Sequence, residues 1–224
     1  MNARSIFLVL TLVVTVPCRA VTIAQWTFET SLTSSTSGSG TDFGALSPEI
    51  GIGSASGHHA SASTGWSSPA GNGSARSFSS DHWAIGDYYQ FQVSTIGFGT
   101  ISITWDQTSS ATGPNSFRLQ YSLDGSSFTA WSDYTVSTIT SPVTWNSFSP
   151  GTLPSALNNA SALYLRLTAI SSPGGTAGAD RIDNFTVAGT PVQQSVPETL
   201  PIGIEIGVLL GLLITASRFN CRFS

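Results

Sequence analysis

Apolar and polar side chains alternate along most of the chain between residues 21 and 189. A period of two places every second side chain on the same face of a strand. No long helical period appears. The alternation predicts roughly eight or more strands and therefore an all-β, two-sheet, jelly-roll-like β-sandwich. The clearest apolar sets are Tyr89, Phe91 and Val93; Ile101, Ile103 and Trp105; Phe117, Leu119 and Tyr121; and Leu163, Leu165 and Leu167.

The N-terminal part of this region gives a weaker pattern. A first strand is predicted over Thr22–Glu29, and a stretch rich in Ser, Gly and Ala follows from Ser31 to Ser80. Loops of that length are uncommon in a compact domain, so we expect short strands within it. A hairpin is predicted around Asp124-Gly125, because this dipeptide favours a tight type I′ turn.

Both ends of the chain carry export-type signals. Arg4 precedes an apolar run, Ile6–Val16, and Ala20 offers a small residue for cleavage. This pattern is typical of a secretory signal peptide, here residues 1–20. At the other end, residues 190–197 form a predicted linker before an apolar tail, residues 198–224.

The tail resembles the PEP-CTERM sorting signal of exported bacterial proteins. It combines a short motif, a hydrophobic segment from Leu200 to Ala216 and two terminal arginines. The motif residues are Val196, Pro197, Glu198 and Thr199. The resemblance implies a C-terminal transmembrane helix that tethers the protein until an exosortase-type protease processes it, and a final location at the cell surface or in the extracellular matrix. A simple C-terminal membrane anchor is the alternative.

The body of the chain resembles cargo domains of the same class. The resemblance rests on Gly86–Phe91, Phe117–Ser122 and Arg181–Val187. Similar segments occur in β-sandwich modules attached to lamin-tail domains and surface nucleases. This implies a jelly-roll fold close to that of carbohydrate-binding modules, without a known activity.

Composition narrows the possible partners. Residues 21–195 contain four arginines, no lysine and ten acidic residues, which is a formal charge of −6. A weakly acidic domain without basic clusters argues against nucleic acid and against anionic lipid surfaces. The two cysteines, Cys18 and Cys221, lie in the signal peptide and the tail. The domain therefore has no disulfide and depends on packing.

No catalytic constellation is recognisable. His58, His59 and His82 lack the further ligands and spacing of a zinc site. A Ser/His/Asp triad is rejected because no Gly-x-Ser-x-Gly turn joins a strand to a helix. We therefore expect a non-enzymatic protein. A secreted hydrolase with an unrecognised active site is the alternative.

The family resemblance also suggests a structural calcium ion. In jelly-roll carbohydrate-binding modules, an acid after the first strand and one in the last strand often share such an ion. The corresponding residues here are Glu29 and Asp183, with Asp180 nearby. Alternatively, Glu29 is a solvated strand end and Asp183 is bonded to a turn.

Exposed aromatic residues are the candidates for a polysaccharide ligand. Aromatic faces stack against sugar rings, and neighbouring polar groups fix the orientation. Five aromatic residues lie in polar surroundings: Trp66, Trp83, Tyr88, Trp131 and Tyr134. Tyr88 alternates with the core set of its strand and should face outward. Packing in the core or beneath loops is the alternative for the tryptophans.

Overall fold

A computed structural model describes residues 19–33, 37–138 and 143–192. The predicted signal peptide, apart from Arg19 and Ala20, lies outside the described residues. So do the last five residues of the predicted linker, including Val196 and Pro197, and the whole apolar tail with Glu198 and Thr199. None of the helices within the described ranges has the length and apolar character needed to span a membrane.

The described residues form fourteen strands and one short 3-10 helix, Ser155–Leu157. The strands are β1 (Val21–Trp26), β2 (Ser37–Ser39), β3 (Asp42–Leu46), β4 (Ile50–Gly51), β5 (Gly53–His58), β6 (Gly65–Ser67), β7 (Phe78–Ser80), β8 (Tyr88–Val93), β9 (Phe98–Ser109), β10 (Ser116–Ser122), β11 (Thr129–Thr135), β12 (Asn146–Phe148), β13 (Leu163–Ala169) and β14 (Asp180–Pro191).

These strands make two antiparallel sheets. The six-stranded sheet has the order β11-β10-β13-β8-β5-β3. The eight-stranded sheet follows the path β12-β9-β14-β7-β6-β2, and β1 pairs with both β14 and β4. The first and last strands of the described domain are therefore neighbours, as the register Trp26↔Phe185 shows.

One hydrophobic core lies between the sheets. Phe91 of the six-stranded sheet stacks on Phe185 of the eight-stranded sheet, with ring centroids 3.5 Å apart and planes within 2°. Trp26 packs edge-on against Phe91 at 5.2 Å. The alternating residues named from the sequence are the ones that fill this space, because a half-buried strand exposes only every second side chain to the core. The predicted all-β, two-sheet architecture is confirmed.

Short strands do occupy residues 37–80, as expected. The first strand ends at Trp26 instead of Glu29, because Phe28 has a positive φ of 60° and leaves the extended conformation. The last strand continues to Pro191, two residues into the segment predicted as a linker.

The hairpin between β10 and β11 exists, but its predicted type I′ turn is wrong. Residues 123–128 connect the strands, and of the Asp-Gly pair only Gly125 has a positive φ, 75°. Asp124 instead accepts hydrogen bonds from the main-chain N–H groups of Ser126 and Ser127, both at 2.8 Å. The wider loop packs back against the sheet, and a Cβ atom at Gly125 would lie 3.0 Å from the Tyr164 ring.

Candidate functional site

The outer face of the six-stranded sheet carries an unbroken row of polar and aromatic side chains. Strand pairing sets Asp42 opposite His58, His58 opposite Tyr88, and Tyr88 opposite Thr168. The row continues through Arg118 to Asp133 on the far edge. Opposed residues on one face are close enough to interact. The row therefore forms a continuous band across the whole sheet.

A shallow depression lies next to this band. The adjacent row contains Ser56 opposite Gln90 and Gln90 opposite Arg166. Small residues at Gly44 and Ser56 leave a volume of about 400 Å³ bordered by Asp42, His58, Tyr88 and Gln90. We call Asp42, His58, Tyr88, Gln90 and Arg166 the outer-face site.

His58 contacts both Asp42 and Tyr88, and these three residues form the first part of the outer-face site. The His58 ring lies against the Tyr88 ring, with centroids 5.2 Å apart and planes tilted by 30°. His58 Nδ1 is 2.7 Å from Asp42 Oδ1. The hydrogen bond with His58 lowers the pKa of Asp42, so this carboxylate is ionised at neutral pH. Within the described residues the Tyr88 hydroxyl has no hydrogen bond, so it is free for a ligand.

Arg166 forms the second part. Its guanidinium lies between two rings, 3.8 Å from the Tyr88 centroid and 3.6 Å from the Phe128 centroid. Arg166 Nε donates a hydrogen bond to Gln90 Oε1 at 2.8 Å. Partial burial lowers the pKa of Arg166, although an arginine remains charged at any physiological pH. The side chain is thus a cation fixed in place by stacking.

Two of the predicted aromatic candidates reach the surface. Tyr88 lies on the outer face, as its alternation with the core set predicted. Trp131 is 40% exposed and is the extra residue of a β-bulge, because Leu119 pairs with Ser132 while Gln120 pairs with Ala130. A bulge re-aims a side chain, and here it presents Trp131 at the edge of the sheet.

Of the other three predicted platforms, Trp66 and Trp83 are core residues and Tyr134 is partly buried against the core, which corrects the sequence interpretation. Trp66 and Trp83 are 1% and 3% exposed, and their indole N–H groups donate to the carbonyls of Gly40 and Ser80. Tyr134 packs on Trp105, and its hydroxyl donates to Gln107 Oε1 at 2.9 Å. Polar neighbours in sequence misled the prediction, since buried indole and phenol groups need hydrogen-bond partners as well.

Most residues of the outer-face site were not among the sequence-predicted candidates. Gln90 and Arg166 alternate with buried residues of β8 and β13, so the rule that placed Tyr88 outward applies to them equally. His58 and Asp42 follow from the register of β3 and β5, which lie in the weakly patterned Ser/Gly region. Only the strand order could bring these four residues together.

The three predicted calcium ligands do not lie together: two contact one loop and the third lies in the core. Glu29 and Asp183 hold the same loop: Glu29 Oε1 accepts the N–H of Arg76 at 2.7 Å, and Asp183 Oδ2 accepts the N–H of Asn72 at 2.8 Å. Asp180 points elsewhere. Its Oδ1 accepts a hydrogen bond from Gln107 in the core, and burial raises its pKa well above the usual range. Asp180 therefore belongs to the core hydrogen-bond network instead of the loop that Glu29 and Asp183 hold.

The loop around Gly71 concentrates oxygen atoms. A Cβ atom there would lie 2.2–2.3 Å from Arg76 O, Ser74 Oγ and Asp183 Oδ2. Burial raises the pKa of Asp183 to about 6, with a further contribution from nearby Asp106. Carboxylate, carbonyl and hydroxyl oxygens are the ligands that Ca²⁺ prefers. The donors therefore fit calcium in kind, although the described residues contain no group of three or more His, Cys, Asp and Glu side chains that could hold a metal.

A buried Ser-His-Asp arrangement occurs in the core, although no catalytic triad was predicted. His59 Nε2 is 3.0 Å from Ser80 Oγ, and His59 Nδ1 is 3.1 Å from Asp87 Oδ2. His59, Ser80 and Asp87 are 0%, 1% and 2% exposed. The Trp83 ring covers His59 at 4.3 Å. A substrate carbonyl cannot reach Ser80, so this set is a structural polar network.

Comparisons with known proteins give no family. No family model matches the sequence, and no curated protein matches significantly. Solved structures with a similar fold include the K1 cleaved adhesin domain of Lys-gingipain from Porphyromonas gingivalis W83, at 14% identity and a TM-score of 0.44, covering 75% of this chain and 97% of that one.

Two carbohydrate-binding structures are similar at the same low level. One, described as carbohydrate-binding modules from the β-sandwich superfamily, has 13% identity and a TM-score of 0.42 and covers 73% of this chain and 61% of that one. The other is a complex with β-1,4-galactotriose, at 12% identity and a TM-score of 0.33, covering 71% and 92%. With TM-scores below 0.5, these similarities add nothing to the functional argument.

Proposed function

We propose that the domain is a non-enzymatic polysaccharide-binding module and that the outer-face site is where it binds. The observation that carries this proposal is the half-exposed His58–Tyr88 ring pair beside an open depression lined by polar groups. Sugar rings have an apolar face that stacks on aromatic side chains and a rim of hydroxyls that needs hydrogen-bond partners. The His58–Tyr88 ring pair supplies an apolar surface, and the Tyr88 hydroxyl, Gln90 and Asp42 supply hydrogen-bonding groups.

The shape of the site favours a chain over a small molecule. Small-molecule sites are enclosed and bury most of the ligand. The outer-face site is instead an open depression on a band that crosses all six strands. Trp131, on the β11 edge strand of the same sheet, is a further exposed aromatic residue that a long ligand could contact.

The position of the acids on this face argues against glycoside hydrolysis. Asp42 and Asp133 occupy the same row but lie on opposite edge strands, β3 and β11, five strand positions apart. At about 4.8 Å per strand, they are about 24 Å apart. Glycosidases need carboxylates about 5–9.5 Å apart. Binding without cleavage therefore fits the outer-face site better than hydrolysis does.

The two ends of the chain are proposed to determine where the domain is delivered. In this proposal the signal peptide exports a jelly-roll-type domain, and the PEP-CTERM-like tail holds it at the membrane until an exosortase-type protease releases it to the cell surface or matrix. A calcium ion held by Glu29, Asp183 and loop oxygens would fix the loop between the first and last strands. Permanent anchoring by the tail would leave the binding function unchanged.

Affinity electrophoresis in gels containing different polysaccharides tests the binding proposal. We expect at least one polysaccharide to retard the wild-type protein and Tyr88→Ala to abolish that retardation. Thr104→Ala, which lies on the outer face of the other sheet, is the matched control and should be retarded normally. Equal retardation of the wild type and Tyr88→Ala would place binding elsewhere on the molecule.

A further inference from the structure

Arg166 differs from the other charged side chains on the outer face of the six-stranded sheet. Arg118 is neutralised by Asp133 through two hydrogen bonds of 2.7 and 2.8 Å. Asp42 has His58 as its partner. Within the described residues, Arg166 forms no ion pair. Near the centre of this face it therefore presents a positive charge that no carboxylate balances.

The stacking of Arg166 decides which of its atoms a ligand can reach. The Tyr88 and Phe128 rings pack against the guanidinium, with their centroids 3.8 and 3.6 Å from Cζ. Nε is committed to Gln90. Among the described residues, the terminal Nη groups have no hydrogen-bond acceptor. The edge of the guanidinium with two parallel N–H donors is what remains, and this edge matches a carboxylate or sulfate in a bidentate geometry.

We propose that the outer-face site recognises an acidic polysaccharide, with the Arg166 Nη groups binding the carboxylate or sulfate of one sugar while the Tyr88 hydroxyl and the open edge of the His58–Tyr88 ring pair contact a neighbouring sugar. This inference rests on the proposed binding function and specifies its ligand class. Because the two rings hold the guanidinium in place, little side-chain entropy is lost when the anion binds.

The overall negative charge of the domain does not oppose this assignment. Charges further than about 8 Å away are largely screened at physiological ionic strength. Of the acids on this face, Asp133 is paired with Arg118, and Asp42 lies three strand positions from β13, about 14 Å away at about 4.8 Å per strand. The local field around Arg166 is therefore set mainly by Arg166 itself.

The test uses the full-length chain in a non-ionic detergent and pairs of polymers that differ only in charge. Polygalacturonate and alginate are each compared with their carboxyl-reduced forms, and dextran sulfate with dextran. We expect binding to at least one acidic polymer and weakening of about tenfold or more on removal of its charge or on Arg166→Gln. Arg166→Lys should bind more tightly than Arg166→Gln but less tightly than the wild type, because lysine keeps the positive charge but lacks the two parallel N–H donors.

The control is Arg181→Gln, which makes the same change in net charge on the other sheet and should bind normally. An equal loss in Arg181→Gln would reduce the effect to nonspecific electrostatics and overturn the inference. Binding of neutral polymers that is unaffected by Arg166→Gln would overturn it too, while leaving the proposed function intact. Failure to bind any neutral or acidic polymer would contradict the proposed function itself.

Discussion

Calcium should stabilise the domain in a pH-dependent way because of Asp183. Its pKa is raised from the ordinary 3.8 to about 6 by burial. A rise of that size corresponds to at most about 3 kcal/mol, at 1.36 kcal/mol per pKa unit. The raised pKa means that the folded state prefers the protonated acid. Without a cation, stability from this group is therefore lost as the pH rises from about 4 to 6 and stays lost above pH 6.

A bound Ca²⁺ would compensate the ionised carboxylate and restore this stability. For a domain of this size, 1 kcal/mol shifts Tm by about 2–4 °C, so the full effect is about 6–12 °C. We expect differential scanning calorimetry at pH 7.5 to show a Tm higher by several degrees in 1 mM CaCl₂ than in EDTA. At pH 5, where Asp183 is mostly protonated, the difference should shrink.

Two variants separate the calcium site from general ionic effects. Asp183→Asn should remove the calcium response, because it removes the titrating ligand. Asp106→Asn should keep most of it, because Asp106 bonds to Ser147 and Asn184 and not to the loop around Gly71, and it contributes only a minor part of the raised pKa of Asp183. The same Tm in calcium and EDTA at pH 7.5, or a full response in Asp183→Asn, would refute the reasoning.

Three further predictions concern packing and the buried polar network. Gly57→Ala should destabilise the domain by about 1–3 kcal/mol in urea unfolding, because its Cβ would lie 2.3 Å from the Trp66 ring; wild-type stability would contradict this. Phe91→Ala should cost about 3–5 kcal/mol through loss of the stack on Phe185, and a loss below 1 kcal/mol would show that the core is arranged differently. A fluorophosphonate probe should not label the wild-type protein, because Ser80 is buried; labelling that Ser80→Ala abolishes would reopen the hydrolase alternative.

The sequence predicted the architecture well because burial follows a simple rule. The alternating sets of β8, β9, β10 and β13 fill the core as expected, and a period of two needs no tertiary information. The same rule failed for Tyr134, whose strand reads as polar along its length: its burial depends on the partner strand, where Phe117 lies opposite. The burial of Trp66 and Trp83 was missed for a related reason. Their indole N–H groups bond to the carbonyls of Gly40 and Ser80, and the sequence pattern does not reveal these hydrogen bonds.

The candidate site was only partly predictable. Tyr88 followed from alternation alone. The pairing of His58 with Asp42 and the stacking of Arg166 on Phe128 join segments that are far apart in the chain, and they depend on strand order and on the width of the loop at residues 123–128. The calcium prediction illustrates the same limit, because spacing could not tell Asp183, which faces the loop, from Asp180, which faces the core.

The central claim is that a polysaccharide binds at the outer-face site. Hydrogen–deuterium exchange on the full-length chain tests it most directly, with and without a polysaccharide that retards the protein in affinity electrophoresis. The account predicts slower exchange in peptides that cover β5, β8 and β13, where His58, Tyr88 and Arg166 lie. It predicts unchanged exchange in β9 and β12 on the opposite sheet. Protection confined to β9 and β12, or to the loops alone, would contradict binding at the outer-face site.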